Sequence, residues 1–354
     1  MTGSSGVHKE EEMNAFDRLN VFIKRVRSSS LKKMYGFARD IHNETGKPVP
    51  FILADMGVCI LRYGIGYQEY RGYGFVYKKP SQRSTYMTVN NNVALTRMLN
   101  DRSLYDLLED KGKFLERFND YVKRDWLDLR KCTREEFSDF CRKHPVIFVK
   151  PVDSFGGLGI EKKTIQEETD LEALYDSLIS NGQLIAEEQI HQHHEMDRMY
   201  SGSVNTIRIV TLLVNGESRH VYSIFRVGSG NGVTDNATSG GIYTWVDGDG
   251  TLHLPLYHEK SGTYYDVHPV SGVTVDGFKV PMYQEAVEFC LRAAKEEPRL
   301  GYIGWDVAVT ENGPVMVEAN IMPGNDMAQN IRWREEGLGI KPDFEKALGF
   351  PVPR

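Results

Sequence analysis

The sequence predicts an α+β protein of two or three subdomains, and three observations carry the prediction. The chain has 354 residues, 40% of them hydrophobic and 26% charged, which is ordinary for a globular chain with room for more than one core. Helical spacing dominates residues 14–45 and 92–129. Strand-like alternation collects beyond residue 145 and ends in a hairpin, GYIGWDVAVTENGPVMVEANIMPGN, over 301–325.

Composition removes several function classes. A net charge of −6 argues against a general nucleic-acid binder. No stretch approaches the roughly 20 apolar residues of a membrane span, and no apolar signal core follows Met1, so a cytoplasmic protein without membrane insertion is expected. The four cysteines, Cys59, Cys132, Cys141 and Cys290, lack CxxC spacing and read as reduced thiols rather than zinc ligands or disulfides. Residues 1–13 are small, polar and charged, and are expected to be a disordered tail.

The N-terminal region, 14–100, reads as helical or mixed. Phe16, Leu19, Phe22, Ile23 and Val26 mark a first helix, and Leu31 to Asn43 a second. The apolar run FILADMGVCILRYG suits a strand or a buried helix, and periodicity cannot choose. The tyrosine-rich stretch over 63–86 reads as a loop or meander packed on the core, with an acceptor-binding surface as the alternative. Residues 101–190 then hold helical spacing to about Leu129, a short helix at 134–143, and two strands flanking a glycine-rich loop in HPVIFVKPVDSFGGLGIEKKT. Val146, Phe148 and Lys150 share one strand face, which puts Lys150 where the strand meets the loop. Ser154, Gly156, Gly157 and Gly159 could offer backbone N–H groups to a polyphosphate, although this is neither GxxxxGK[ST] nor GxGxxG before a helix. After a helix at 168–179, the strand QLIAEEQI ends in Glu187, Glu188, Gln189 and Ile190. His191, His193 and His194 lack the i, i+4 spacing of a helical zinc pair and read as surface histidines.

Residues 191–354 carry the remaining chemistry. Arg208 and Arg226 lie in two paired apolar strands, with Asn236, Gly240 and Gly241 following. The pattern suits an anion clamp or two outward arginines equally. Residues 245–280 read as a β-meander and 281–300 as a helix. In the closing hairpin, a two-residue turn at Asn312-Gly313 would set Asp306 opposite Ala319. A three-residue loop with Gly313 in the left-handed position sets Asp306 opposite Glu318, with Asn320 on the same face, and this register is the one expected. The product is a cluster of two carboxylates and an amide, which suits Mg²⁺ better than zinc. On these residues alone, a solvated strand face stays open as the other reading.

In this order the segments DKGKF, FVKPVDSFGGLGI, IAEEQI, SVNTIRI, FRVG with TDNATSGG, and IGWDVAVTENGPVMVEAN resemble the ATP-grasp superfamily. They are most similar to its sugar-transfer associated family, and next to glutamate ligases that extend a ribosomal protein's tail. The resemblance covers about residues 100–330. It implies an ATP-grasp fold, two α/β subdomains clasping ATP, with 101–190 as the small subdomain and 191–354 as the C-terminal subdomain bearing the Mg²⁺ site. Lys150 and Lys111 would then contact the phosphates, with Lys113 competing with Lys111. The backbone from Glu187 to Ile190 would hold adenine, and Glu195 the ribose. Asp306, Glu318 and Asn320 would hold two Mg²⁺ ions. Arg208, Arg226, Asn236 and the Gly240-Gly241 backbone would clamp the transferred phosphoryl group. Phe155 inside the glycine loop departs from the family pattern.

The activity implied is an ATP-dependent ligation of a carboxylate to an amine or other nucleophile through an acyl phosphate. The partners implied are a small-molecule carboxylate and an amine or sugar acceptor, and the family's association is with envelope polysaccharide. A phosphotransferase acting on a sugar and a nucleotide-binding scaffold without turnover are the competing functions. The sequence does not decide whether the protein is a homodimer.

Overall fold

The computed structural model describes residues 31–153, 157–230, 235, 237, 240–333 and 335–353. The tail expected at 1–13, the first expected helix, and Ser154, Gly156 and Asn236 lie outside the described residues.

The N-terminal region is helical. Helix α1 spans Leu31–Thr45, α2 Val49–Tyr63 and α3 Tyr67–Gly72. The undecided apolar run is therefore α2. Pro48 and Pro50 open it, since a proline at the first turn lacks only an N–H that would go unused. Gly64, at φ +68°, closes it by donating its N–H to the Ile60 carbonyl at 3.1 Å. The tyrosine-rich stretch forms short helical turns and not a meander. Tyr70, Tyr73 and Tyr86 gather round Phe75 in a core of their own with Ile52, Met56 and Cys59. Arg83 closes that core by donating to both Asp55 oxygens at 2.7 Å.

Helix α4 is Val89–Leu99 and α5 is Lys111–Arg117. The helical spacing of 92–129 thus resolves into several short pieces. Asn100 leaves the helix to bridge Leu300, Asp110 caps α5, and Lys123 turns the chain at φ +50°. At Asn100 and Asp110 the side chain competes with helical hydrogen bonding, and at Lys123 the backbone itself turns left-handed.

A four-stranded antiparallel sheet follows, in the order β1-β4-β2-β3. Its strands are β1 Trp126–Asp128, β2 Val146–Lys150, β3 Glu161–Thr164 and β4 Ile185–Glu188. Helices α6 (Arg134–Lys143) and α7 (Leu171–Ser180) cover one face, where Phe137, Cys141, Ile147, Val149, Leu178 and Ala186 form the core. Period-two alternation sends Phe148, Lys150, Ile185 and Glu187 to the other face.

Beyond the short helix α8 (His194–Met199) stands a seven-stranded sheet, ordered β10-β9-β7-β6-β5-β12-β13. Its strands are β5 Thr206–Val214, β6 Glu217–Val227, β7 Ile242–Trp245, β9 Leu256–His258, β10 Thr263–Tyr265, β12 Tyr302–Thr310 and β13 Gly313–Asn320. Two short strands, β8 Thr251–Leu252 and β11 Phe278–Lys279, pair separately inside the expected meander. Helix α9 (Tyr283–Ala293) packs on the face carrying Ile207, Ile209, Phe225, Trp305 and Val307. Val210, Leu212, Tyr222, Ile224, Tyr243 and Tyr302 build a second core on the opposite face, against Leu95 of α4 and Phe344 of the terminal helix α10 (Lys341–Leu348). Arg208, Arg226, Asp306 and Glu318 belong to this second face. No helix among the described residues is long and apolar enough to cross a membrane.

The hairpin register is reached by a route the sequence did not suggest. Thr310 pairs with Gly313, so the loop is Glu311-Asn312 and has two residues rather than three. Gly313 sits at φ +111°, a conformation side-chain-bearing residues avoid. That turn alone would set Asp306 opposite Val317. A β-bulge at Val317 absorbs one residue, so that Val307 faces Met316 and Asp306 faces Glu318. Met316, just before the bulge, gives its carbonyl to Arg124 at 2.5 Å.

Candidate functional site

Register places the charged residues in one cross-strand row. Arg208 on β5 lies opposite Asp306 on β12, which lies opposite Glu318 on β13. Arg226 on β6 lies opposite Thr206, two residues from Arg208 and on the same face. Residues directly opposite in antiparallel strands hold their Cβ atoms about 5 Å apart, so the row needs no loop to assemble it.

The row is buried and strongly charged. Asp306 is 1% exposed, Arg208 7% and Arg226 4%. Arg208 grips Asp306 with two donors, Nε to Oδ1 and Nη2 to Oδ2 at 2.9 Å. Arg226 Nη1 donates to Asp306 Oδ2 at 2.7 Å, and its Nη2 to Asp235 Oδ1 at 3.0 Å. The two arginines assigned to a phosphoryl group are therefore seated on carboxylates, which fix the planes of their guanidiniums. Asp235 itself is pinned by the Thr206 N–H at 2.9 Å.

Burial would raise the Asp306 carboxyl, but Arg208 and Arg226 overrule it and hold the group well below the usual carboxylate range. Glu318 goes the other way. Burial, the charge of Asp306 and a hydrogen bond with it push its carboxyl above the usual range. Two carboxyls in hydrogen-bond contact cannot both ionise cheaply, so one keeps a proton unless a cation replaces it. Asn320, half-buried on the same strand face, adds an amide oxygen, and its Nδ2 has no hydrogen-bond partner among the described residues. An all-oxygen set with a carboxyl pair and an uncommitted amide fits a hard divalent cation.

The small sheet supplies the second wall. Glu187, on the face away from its core, pairs with Lys150 Nζ at 2.5 Å and accepts from Arg124 Nη2 at 2.9 Å. Burial acts to raise Glu187, yet Arg124 and Lys150 together hold it down to about 2. Its side chain is thus consumed, and its backbone is paired between Trp126 of β1 and Phe148 of β2. Glu188 turns outward and accepts from the Asp125 N–H at 2.9 Å.

Lys111 reaches the same space, and the residues around it explain how. Asp110 caps α5 by accepting from the Gly112 N–H at 2.8 Å, and Arg130 clamps Asp110 (2.7 Å) and Asp128 (2.6 Å) together. A Cβ on Gly112 would stand 2.5 Å from both Arg130 Nη2 and Asp128 Oδ2, so any larger residue here must displace the ends of the clamp. The clamp aims Lys111 inward. Burial first, and then the nearby Lys150, lower its ammonium, while Glu318 and Glu187 act to raise it. Lys113, two residues on, points outward to Asp106.

The remaining predicted residues are dispersed. Gly157 and Gly159, both at φ +76°, turn the described end of the glycine loop. Gly240 sits at φ +100° with its carbonyl accepting from Ser229. Gln189 and Ile190 follow β4 outside any strand. Glu195 lies in the first turn of α8, and its carboxylate pairs with Arg198 at 2.6 Å. His193 and His194 face Glu311 at the hairpin tip, where His194 Nδ1 lies 2.8 Å from Glu311 Oε1.

Sequence reasoning missed Arg124 and Asp235. Arg124 stands alone in YVKRDW, and no spacing marks it as the partner of a glutamate 63 residues away. Asp235 adjoins Asn236 in TDNATSGG, in the loop between β6 and β7, and an acid close after a strand arginine was the available signal.

Comparison with known proteins gives the following. The family model described as sugar-transfer associated ATP-grasp matches residues 90–332. No curated protein matches. Among solved structures, the chain is similar to the ATP-grasp ligase PsnB in complex with a minimal precursor, at 13% identity and a TM-score of 0.37, covering 64% of this chain and 56% of that one. The D-alanine–D-alanine ligase of Bacillus anthracis gives 14% identity and a TM-score of 0.35, covering 62% and 58%. An ADP complex of N5-carboxyaminoimidazole ribonucleotide synthetase gives 10% and 0.42, covering 69% and 52%. The chain thus spans between half and three-fifths of the length of these structures.

Proposed function

We propose that this chain, which belongs to the sugar-transfer associated ATP-grasp family, is an ATP-dependent ligase that joins a carboxylate to an amine through an acyl phosphate. The observation that carries the reading is the row Glu318–Asp306–Arg208 with Arg226, with Lys111 within electrostatic reach of both Glu318 and Lys150. Four cations and a carboxyl pair in one buried place suit phosphoryl transfer, which needs positioning and charge neutralisation more than a covalent catalyst.

A carboxylate is a poor electrophile because its charge repels nucleophiles. Transfer of the γ-phosphoryl forms a bond from a carboxylate oxygen to phosphorus, breaks the bond to the bridging oxygen, and releases ADP. The amine nitrogen then attacks the acyl carbon. The C–N bond forms, the bond from that carbon to the phosphate oxygen breaks, phosphate leaves, and the nitrogen gives up its extra proton. Lys111 and Lys150 hold the phosphates as point charges, with Ser154, Gly156, Gly157 and Gly159 lending backbone donors. Arg208 and Arg226 present planar donors to the transferring group, joined by Asn236 and the Gly240-Gly241 backbone. The backbone from Glu187 through Glu188, Gln189 and Ile190 takes the adenine edge, and Glu195 the ribose. Asp306, Glu318 and Asn320 would hold Mg²⁺, which when bound screens the charge of the phosphates. The family's description motivates a carbohydrate-linked substrate, in envelope polysaccharide or a related metabolite.

Replacing Glu318 by Gln tests the reading. Acceptor-dependent ADP release should fall at least about a hundred-fold, on the scale of losing a direct charge contact to the transition state. Undiminished turnover would overturn the role given to the carboxyl pair.

A further inference from the structure

The row of the site continues past Arg226 into a cavity that the ligase reading has not used. Tyr243 on β7 lies directly opposite Arg226, and Tyr257 on β9 directly opposite Tyr243, all on one sheet face. The N-terminal helices close over these rings and leave a cavity of about 570 Å³, bounded also by Met322 to Asp326, the chain that leaves β13. One end of the cavity therefore adjoins the phosphoryl site.

Its charge is acidic. Glu69, Glu259 and Asp326 line it. Among the described residues, neither Glu259 nor Asp326 has a hydrogen-bond or ion-pair partner for its carboxylate. Burial, then Asp326, then Glu69 push the Glu259 carboxyl up to about 7. The nearby cations do not offset them: Arg71 is held by Glu44 at 2.9 Å and Asp40 at 3.5 Å, and Lys260 is exposed at the rim. A separate observation points to a ligand. Tyr243 is only 3% exposed, it lines the cavity, and among the described residues its hydroxyl has no hydrogen-bond partner. The ring is buried while the hydroxyl opens on the cavity, where it is available to a polar group from outside.

We infer that this cavity binds the nucleophile of the reaction and that the nucleophile is a small primary amine, carried in as its ammonium ion between Glu259 and Asp326 and against the Tyr243 hydroxyl. The inference rests on the ligase reading for the word nucleophile, but not for the preference for a cationic amine. The aromatic walls of Tyr73, Tyr243 and Tyr257 suit the body of such a molecule, and ammonium ions are drawn to both carboxylates and ring faces.

The test titrates the full chain with three amines and their matched alcohols: ethanolamine against ethylene glycol, 1,4-diaminobutane against 1,4-butanediol, and glucosamine against glucose. At least one amine should bind about ten-fold or more tightly than its alcohol, the least that one charge-assisted contact contributes. The double variant Glu259→Gln, Asp326→Asn should lose that preference while still binding MgATP, and Tyr243→Phe should weaken it. The inference is overturned if no amine outbinds its alcohol, or if the preference survives in a double variant that still binds MgATP. An amine preference without any ATP turnover would refute the ligase reading and leave the amine site standing, whereas turnover with no amine preference would refute this inference alone.

Discussion

Replacing Arg124 by Met should cost about 2–3 kcal/mol of stability at pH 7, and the structure bounds that figure in two ways. Arg124 is buried with 4% of its side chain exposed, and its partner Glu187 with 8%. Removing one member of a buried pair typically costs 3–5 kcal/mol, and Lys150 remains to hold Glu187, which favours the low end of about 3. Independently, the fall of the Glu187 carboxyl from 4.5 to about 2 corresponds to about 3 kcal/mol shared between its two cations, of which Arg124, the larger contributor, supplies about 2. Arg124 also holds the Met316 carbonyl beside the bulge, so its loss loosens the small sheet from β13.

The sign of the pH dependence follows from the depressed carboxyl. A group lowered on folding contributes its full stabilisation above its unfolded value near 4.5 and loses it as pH falls toward 2. The gap between wild type and Arg124→Met should therefore be widest near neutrality and narrow below pH 4.5. Urea unfolding at pH 7 and at pH 4, followed by tryptophan fluorescence, measures both gaps. A loss under 1 kcal/mol at pH 7, or a gap that widens with acid, would refute the reasoning.

Two further outcomes follow from the placement of α5. Lys111→Ala should raise KM for ATP at least about ten-fold, while Lys113→Ala, whose side chain points to Asp106 at the surface, should change it less than about two-fold; initial-rate kinetics separate the two lysines. Gly112→Ala should lower stability by about 1–3 kcal/mol, because its methyl would meet Arg130 and Asp128 at 2.5 Å and overpacking carries that cost; thermal unfolding checks it, with ATP affinity falling alongside as Lys111 is re-aimed.

Much of the architecture could be read from periodicity, and the failures have local causes. Strands β5, β6, β12 and β13 announce themselves as apolar stretches of eight or more residues rich in β-branched and aromatic side chains, the pattern of strands buried on both faces. The run at 51–64 could not be assigned because an apolar stretch looks alike in a buried strand and a buried helix; the prolines at 48 and 50 and Gly64 were the deciding marks, through capping rather than hydrophobicity. The helical spacing at 92–129 breaks where Asn100 and Asp110 spend their side chains on distant or capping contacts, which no local period reveals.

The site shows the same division. The partnership of Asp306 with Glu318 was legible because both are acids in apolar strands. The bulge at Val317 that secures it was not, since a bulge depends on how the tip and the sheet settle together. Arg208 and Arg226 were visible as charges in apolar strands, but their attachment to Asp306 and Asp235 needs the pairing of three strands. Glu259 and Asp326 come together only when the β9–β10 hairpin meets the chain leaving β13.

The most direct test of the central claim is to incubate the protein with MgATP and a metabolite pool containing carboxylates and primary amines, and to identify products by mass spectrometry. The account predicts ADP and inorganic phosphate in equal amounts, together with a compound whose mass is the sum of one carboxylic acid and one amine less a water. A stable phosphorylated small molecule formed in step with ADP, or no consumption of ATP at all, would contradict it.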